Sequence, residues 1–244
     1  RDGGALLSGS LADASVLVVG AGALGCAAAD ALATAGIGRL GLVDPDRVER
    51  SNLHRQLLHR TADLGRRKVE SAAERLRARH PTLTIDTAAV RFDAANAADL
   101  VAGHTCLIDA TDGIATKFLI NDLAVNLGTP LIHGGIVRFQ GQLLTVLPGT
   151  SACYRCLFGA PPEEGSVPSC QEAGVLGSLA GTIGTLQAAE AIRLVTGRGA
   201  LLADRLLTYD ALAGRWRHVR LRRNPSCPTC RHTIPRVAVG AGAR

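Results

Sequence analysis

Four of the seven cysteines stand in two C-x-x-C pairs, Cys153 with Cys156 and Cys227 with Cys230, which lie far apart in the chain. Four thiolates in such pairs are typical of a tetrahedral zinc site in which sulfur takes every position. Because that site leaves no position open for a substrate, we expect a structural Zn²⁺. The alternative is two redox pairs, which usually begin a helix that follows a strand, and we expect neither pair to do so.

A glycine-rich loop, GAGALG at residues 20–25, matches the G-x-G-x-x-G pattern between a predicted strand and a predicted helix. Gly20 permits the tight turn, Gly22 lets backbone amides approach a phosphate, and Gly25 allows close packing of the helix. Asp44 ends the next predicted strand, where an acid can bind ribose hydroxyls. The pattern predicts a nucleotide site but does not separate NAD, FAD and ATP. The alternative is a purely structural glycine turn.

Charged side chains follow the same predicted strands. Arg55 lies in the segment after the second strand, and Lys68 opens the next helix. Two cations suit a triphosphate better than a hydride-transfer cofactor, whose pyrophosphate needs few. Asp112 follows the fourth strand and could bind Mg²⁺. Each charge alone is typical of a solvated loop, but their convergence on one sheet edge indicates a ligand site.

The remaining three cysteines have different settings. Cys26 falls in the first predicted helix and Cys106 in the fourth strand, so we expect both to be small buried residues of the core. Cys170 ends a segment rich in Pro, Glu and Gly at 160–169, which we expect to be a mobile loop. Such a setting suits a reactive thiolate, and the alternative is an exposed, unreactive thiol.

The elements that must position these residues alternate between strand and helix. We predict strands over 16–19, 39–43, 84–90 and 105–110 and one that opens at 131, with helices over 24–35, 64–79 and 114–127. Antiparallel strands follow over 136–147 with a weak point at Gly141, then a helix over 175–195 and a hairpin over 206–221. The fold class is therefore α/β: a Rossmann-like, mostly parallel sheet with helices on both faces, extended by antiparallel strands and the zinc site. We expect residues 1–135 to form the nucleotide-binding part and 136–244 the extension, within one continuous domain.

The composition narrows the class of protein. The chain has 244 residues, of which 47% are hydrophobic and 20% charged, as in globular proteins. A net charge of +6 without a basic motif does not indicate nucleic-acid binding. The apolar run at 174–186 is short of a membrane span, and we find neither a signal peptide nor a disulfide framework, so we expect a cytoplasmic protein. The chain starts at Arg1 and contains no Met, so we expect a further N-terminal segment in the native protein.

Taken in order, these pieces resemble the ThiF/MoeB/HesA adenylyltransferases of the ubiquitin-activating-enzyme-like superfamily, above all those that serve the molybdopterin-synthase sulfur carrier. The matching segments cover nearly the whole chain. They are residues 16–26 (VLVVGAGALGC), 41–56 (GLVDPDRVERSNLHRQ), 64–71 (LGRRKVES), 107–112 (LIDATD), 141–149 (GQLLTVLPG), 153–157 (CYRCL), 170–177 (CQEAGVLG), 186–197 (LQAAEAIRLVTG) and 224–230 (NPSCPTC).

The resemblance implies an enzyme that adenylates the C-terminal Gly-Gly carboxylate of a ubiquitin-like sulfur-carrier protein with Mg·ATP, for sulfur transfer in a pathway such as molybdopterin or thiamine biosynthesis. It implies a homodimer and no nucleic-acid or membrane partner. The residues that it implies at the nucleotide are Gly20, Gly22, Ala23, Asp44, Asn52, Arg55, Gln56, Lys68, Asp112 and Gly113. The catalytic residues that it implies are Arg55, Lys68, Asp112 and Cys170, the last as a thiol that links covalently to carrier or sulfur in some members. The zinc ligands that it implies are Cys153, Cys156, Cys227 and Cys230.

Three departures from the family pattern bear on this reading. Gly113 stands where the family has Asn, so a side-chain contact to the nucleotide is absent. The N-terminal segment that lends an arginine to the partner subunit is not in the chain. No rhodanese-like domain follows Arg244, so we expect the sulfur donor to act in trans. The alternatives left open are an NAD-dependent oxidoreductase, a tRNA-modifying dehydratase of the same superfamily and an inactive scaffold.

A basic stretch near the end of the chain has two possible interpretations. Its members are Arg215, Arg217, Arg220, Arg222 and Arg223. The first reading is a solvated edge strand, and the second is a docking surface for an acidic carrier protein.

Overall fold

A computed structural model describes residues 11–163 and 174–233. This part of the chain contains an eight-stranded sheet in the order β3-β2-β1-β4-β5-β6-β7-β8. Strands β1 to β5 run parallel, and β6 to β8 are antiparallel to their neighbours. The strands are β1 (Ser15–Val19), β2 (Arg39–Val43), β3 (Thr84–Ala88), β4 (Cys106–Asp109), β5 (Leu131–Val137), β6 (Gln140–Val146), β7 (Arg205–Asp210) and β8 (Arg215–Arg220).

Helices cover both faces of the sheet, which confirms the predicted fold class. The helices are α1 (Ala23–Ala35), α2 (Lys68–Arg79), α3 (Ala97–Val101), α4 (Ile114–Leu127), α5 (Tyr154–Phe158) and α6 (Gly177–Thr196). Side chains alternate between the two faces of a strand, so Val16 and Val18 of β1 pack with α1, α2 and α6, whereas Leu17 and Val19 pack with α3, α4 and α5. None of the described helices has the length and apolarity that crossing a bilayer requires.

Several predicted boundaries were wrong for local reasons. The helix expected over 64–79 begins only at Lys68, because Gly65 takes a positive φ of 81° and ends a preceding turn. The turn between the antiparallel strands lies at residues 138–139, and Gly141, expected to be a weak point, is inside β6. There its missing side chain makes room for α6, since a Cβ would lie 2.7 Å from Ile183 Cδ1.

Two five-residue helices, α3 and α5, were not predicted because one turn is too short to show a helical period. Cys153 is the N-cap residue of α5, so the expectation that neither C-x-x-C pair begins a helix was wrong. The other two structural expectations for cysteines are confirmed, since Cys26 and Cys106 are both buried.

The boundary proposed at 135/136 lies inside β5, which pairs with parallel β4 on one side and antiparallel β6 on the other.

Helix α6 joins the parallel and antiparallel parts of the sheet. Buried Glu190 accepts hydrogen bonds from Thr145 Oγ1 of β6 (2.5 Å) and from the Leu202 amide (2.8 Å). On its other side α6 packs tightly on α1, because a Cβ at Gly184 would lie only 2.4 Å from the carbonyl oxygen of Leu24. A glycine is therefore required where the two helix backbones meet.

We predict opposite effects for two glycines of α6. Gly184→Ala should lower the free energy of unfolding by about 1–3 kcal/mol, because the added methyl group would overlap the backbone of α1. Gly181→Ala is the matched control: a Cβ there meets no atom within 4 Å in the described structure, so the better helix propensity of Ala should stabilise by about 0.5–1 kcal/mol. Urea denaturation of the two variants measures both. Equal effects would show that this contact does not constrain the helix pair.

Candidate active site

A cavity of about 870 Å³ opens at the carboxyl ends of the parallel strands. The glycine loop, the ends of β2 and β4 and the first turn of α4 form one side, and β5, β6 and α5 form the other. The cavity has the size of a small-molecule site. All ten residues predicted to contact a nucleotide line it: Gly20, Gly22, Ala23, Asp44, Asn52, Arg55, Gln56, Lys68, Asp112 and Gly113. Cys170 lies outside the described residues.

Glycine stands at the three positions of the loop for different structural reasons. Gly20 has a φ of 102°, and a Cβ there would lie 2.7 Å from the carbonyl oxygen of Ala110, the residue that follows β4. A Cβ at Gly25 would overlap the Gly20 carbonyl, so packing requires glycine at both of these positions. Gly22 faces open space, with Gln56 Nε2 the nearest atom at 3.8 Å, and it is the N-cap of α1 without a side-chain cap. The first amides of α1 are thus left for an anionic ligand.

Asp44 holds the glycine loop against the end of β2. Its buried carboxylate accepts hydrogen bonds from the amides of Ala21 (2.6 Å) and Asp46 (2.8 Å). Burial raises the pKa of Asp44, and Lys68 and the two amides oppose that rise. The side chain also lines the cavity, so it couples the shape of the loop to whatever binds there. Its contact with a ribose stays a prediction.

Two cations reach the cavity wall with partners already in place. Arg55 Nη2 donates to Asn52 Oδ1 at 2.6 Å. Lys68 Nζ donates to Asp46 Oδ2 at 2.8 Å, with the lysine side chain 7% exposed and the aspartate side chain 62% exposed. By contrast, Asp112 is exposed on the wall and accepts no hydrogen bond from the described residues. Its oxygens are the available hard ligands at this edge.

Behind the cavity wall lies a buried charge network centred on Asp109, the last residue of β4, and two of its members, Thr111 and Lys117, line the cavity. The Asp109 carboxylate accepts hydrogen bonds from Thr111 Oγ1 (2.7 Å) and faces His133 Nδ1 of β5 at 2.8 Å and Lys117 Nζ of α4 at 3.3 Å. Burial opposes ionisation of Asp109, but Lys117 and His133 outweigh it and hold its pKa well below the usual range. Burial and the charge of Lys117 lower the pKa of His133, so the histidine is the neutral member of the group.

Sequence reasoning missed the aromatic wall of the cavity. The chain has one Trp, two Tyr and four Phe. Four of these seven line the cavity, namely Phe92, Phe118, Tyr154 and Phe158. They come from three separate segments, so no local pattern marks them. Arg91 was also missed, although it follows β3 at the same edge, and the strand-end rule that found Asp44 would have found it too.

The two C-x-x-C pairs meet in one cluster. Their four sulfurs lie within 4.8 Å of one another, with Cys153–Cys227 at 3.6 Å and Cys156–Cys230 at 3.4 Å. Sulfurs around a tetrahedral zinc at a Zn–S distance of about 2.3 Å would lie about 3.8 Å apart, so the donor set fits such an ion. Convergence of all four favours a metal site over two separate redox pairs.

Arg223 belongs to this cluster rather than to a docking surface. It donates to the Gly149 carbonyl at 2.8 Å and to the carbonyl of Cys230, which ties the second cysteine pair to the end of β6. Its inclusion in the basic docking stretch was therefore wrong. Arg215, Arg217 and Arg220 of β8 are exposed, as expected for a docking surface or a solvated edge.

We predict that Lys117→Met raises the pKa of His133. The variant removes the charge that disfavours protonation of the imidazole, while Asp109 stays in place to accept the new ion pair. Titration of the histidine ring signals by NMR measures the shift. Lys117→Arg is the control and should keep the pKa low. An unchanged pKa in Lys117→Met would show that Lys117 does not set the protonation state of this network.

Comparison with known proteins extends over almost the whole chain. The model of the ThiF family matches residues 4–229. The sulfur carrier protein adenylyltransferase of Thermus thermophilus is 46% identical over 222 residues, which cover 89% of this chain and 82% of that protein. The SAMP-activating enzyme E1 of Haloferax volcanii is also 46% identical over 222 residues, with 91% of this chain and 82% of that protein covered.

A solved structure of Escherichia coli MccB with ATP has the same fold. It superposes with a TM-score of 0.82 at 22% identity, over 93% of this chain and 69% of that one. The family match, the relatives' identity and the shared fold agree along the chain. The protein belongs to the ThiF family.

Proposed function

We propose that the protein adenylates the C-terminal Gly-Gly carboxylate of a ubiquitin-like sulfur-carrier protein at the expense of ATP. The observation that carries the proposal is the cavity that gathers a glycine loop, two cations and an exposed carboxylate at one sheet edge. The relatives named for sulfur-carrier adenylation and SAMP activation support the choice of ATP and of a carrier protein. They do not favour the NAD-dependent oxidoreductase alternative.

In this reaction the carrier carboxylate attacks the α-phosphorus of ATP, the bond to the bridging oxygen of the β-phosphate breaks, and pyrophosphate leaves. A carboxylate is already a nucleophile, so the site needs no strong general base. It needs charge neutralisation and in-line positioning. Arg55 and Lys68 lie where they can neutralise the phosphates, and the first amides of α1 add donors.

Two metal ions complete the proposal. Mg²⁺ bound by Asp112 would neutralise phosphate charge when present. The four cysteines would hold a structural Zn²⁺ that lies outside the cavity and takes no part in the chemistry. Gly113, which stands where the family has Asn, is the N-cap of α4. The helix therefore begins there without a side-chain cap.

The carrier docks, in this proposal, on the face of the antiparallel strands beside the cavity. Thr208 of β7 lines the cavity and pairs in register with Arg217 of β8, so Arg217 continues the cavity wall as a basic surface. All six residues of β8 are exposed. A basic face suits an acidic partner. We further propose a cytoplasmic homodimer, a sulfur donor that acts in trans and Cys170 as the thiol that links to carrier or sulfur.

The first test is ATP–pyrophosphate exchange that depends on a Gly-Gly-ended carrier. Arg55→Ala and Lys68→Ala should each lower kcat/KM by about 10²–10³-fold, because each removes charge that the transition state requires. Arg50→Ala is the control, since Arg50 is an exposed cation of the same segment that does not line the cavity.

Cys170→Ala should retain exchange, because adenylation needs no thiol, and should lose sulfur transfer. Calorimetry with Mg·ATP and with NAD separates the proposal from its oxidoreductase alternative. Exchange that fails with every candidate carrier, in a protein that includes any segment preceding residue 1, would refute the proposed function.

The second test is metal content. We expect about one zinc per chain, and removal with a chelator should lower the melting temperature, because the ion joins segments that are distant in sequence. Cys227→Ser should lose the zinc, whereas Cys106→Ala should keep it, since that buried thiol lies in β4 away from the cluster. A folded, metal-free wild-type protein would contradict the assignment.

A further inference from the structure

Helix α5 serves two sites at once. The C-x-x-C pair that flanks its first turn sends the sulfurs of Cys153 and Cys156 into the cysteine cluster. Tyr154 and Phe158, one helical turn apart on the same helix, line the cavity. Cluster cysteines and cavity-lining rings therefore alternate within residues 153–158, so a shift of this turn would move groups in both sites.

Tyr154 is held firmly between the two sites. Its amide donates to the buried Asn121 Oδ1 of α4 at 2.8 Å. Its ring lies 4.4 Å from the ring of His133, 4.9 Å from Phe118 and 4.6 Å from Phe158, measured between centroids. Through His133 it contacts the buried charge network of Asp109. Tyr154, the residue after Cys153, thus belongs both to the cysteine-bearing turn and to the cavity wall.

Asp122, the next residue of α4, joins the two cysteine pairs to each other. Arg155, which lies inside the first pair, donates to it through Nε at 2.8 Å and Nη2 at 2.7 Å. Thr229, which lies inside the second pair, donates through Oγ1 at 2.8 Å. One carboxylate thus spans both C-x-x-C segments and brings them together on α4, whose first turn stands at the cavity beside Asp112.

We propose that the cysteine cluster and the nucleotide cavity are thermodynamically coupled, with Asp122 as the positioning residue that assembles the cluster and Tyr154 as the contact that links it to the cavity. The nucleotide side of this coupling rests on the proposed function. Because coupling between two sites is reciprocal, a bound nucleotide must then strengthen zinc binding by the factor by which zinc strengthens nucleotide binding.

The experiment follows competition for zinc at equilibrium between the loaded, full-length protein and a chromogenic chelator, with and without a non-hydrolysable ATP analogue and Mg²⁺. In the wild type the nucleotide should raise the affinity for zinc at least about fivefold, the lower end of ordinary allosteric coupling. Tyr154→Leu should retain zinc but lose this nucleotide effect. Tyr209→Leu is the matched control, because the other tyrosine stacks on Trp216 and does not line the cavity, and it should keep the effect.

Asp122→Asn addresses the assembly of the cluster. It removes the ion pair with Arg155 at similar size, and zinc affinity should fall about 10–100-fold with or without nucleotide, as it does when groups that orient metal ligands are lost. A variant that binds zinc as tightly as the wild type would overturn this role. Circular dichroism of the zinc-loaded variant checks that it is folded.

Calorimetry with the same analogue separates the possible failures. Bound nucleotide that leaves the affinity for zinc unchanged refutes the coupling and leaves the proposed function standing. No nucleotide binding at all refutes both. Equal loss of the effect in Tyr154→Leu and Tyr209→Leu would overturn the specific role of Tyr154.

Discussion

The buried carboxylate of Asp109 is the interaction on which the rest of the structure depends. It ends the central strand β4 and binds Lys117 of α4 and His133 of β5, and its own carbonyl accepts a hydrogen bond from Gln187 of α6 at 2.7 Å. A buried charge is tolerated only when it is paired and hydrogen-bonded. Four elements, β4, β5, α4 and α6, are therefore fixed to one point.

The cavity opens beside that point, where Thr111 and Lys117 of the same network line it. On the parallel side, the strand ends bring Asp44, Arg55, Lys68 and Asp112 to one edge, since ligands of open α/β sheets bind outside the carboxyl ends of the strands. On the other side, β5, β6 and α5 form the wall, and α5 adds the rings of Tyr154 and Phe158. In the proposed function the two sides differ in role: the first offers groups for phosphate and Mg²⁺, and the second adds apolar side chains.

The cysteine cluster extends the same logic to the end of the chain. Residues 223–230 return to the face of the sheet that α4 and α5 cover. There Thr229 donates a hydrogen bond to Asp122, and Cys227 and Cys230 meet Cys153 and Cys156. Stabilisation of the last described segment and placement of Tyr154 are consequences of one assembly. The contacts of Asp122 and Tyr154 with this assembly follow from the packing of this chain.

The sequence by itself determined the α/β class, the glycine loop, the strand-end charges and the two cysteine pairs, because each is encoded by residues that are close together. It misplaced the turn after β5 and the start of α2, and it did not reveal α3, α5, the aromatic wall or Asp122. Only the tertiary structure decided these. One helical turn carries no readable period, and contacts such as Asp122 with Thr229 join residues far apart in the chain, so they exist only once the two layers of helices have packed on the sheet.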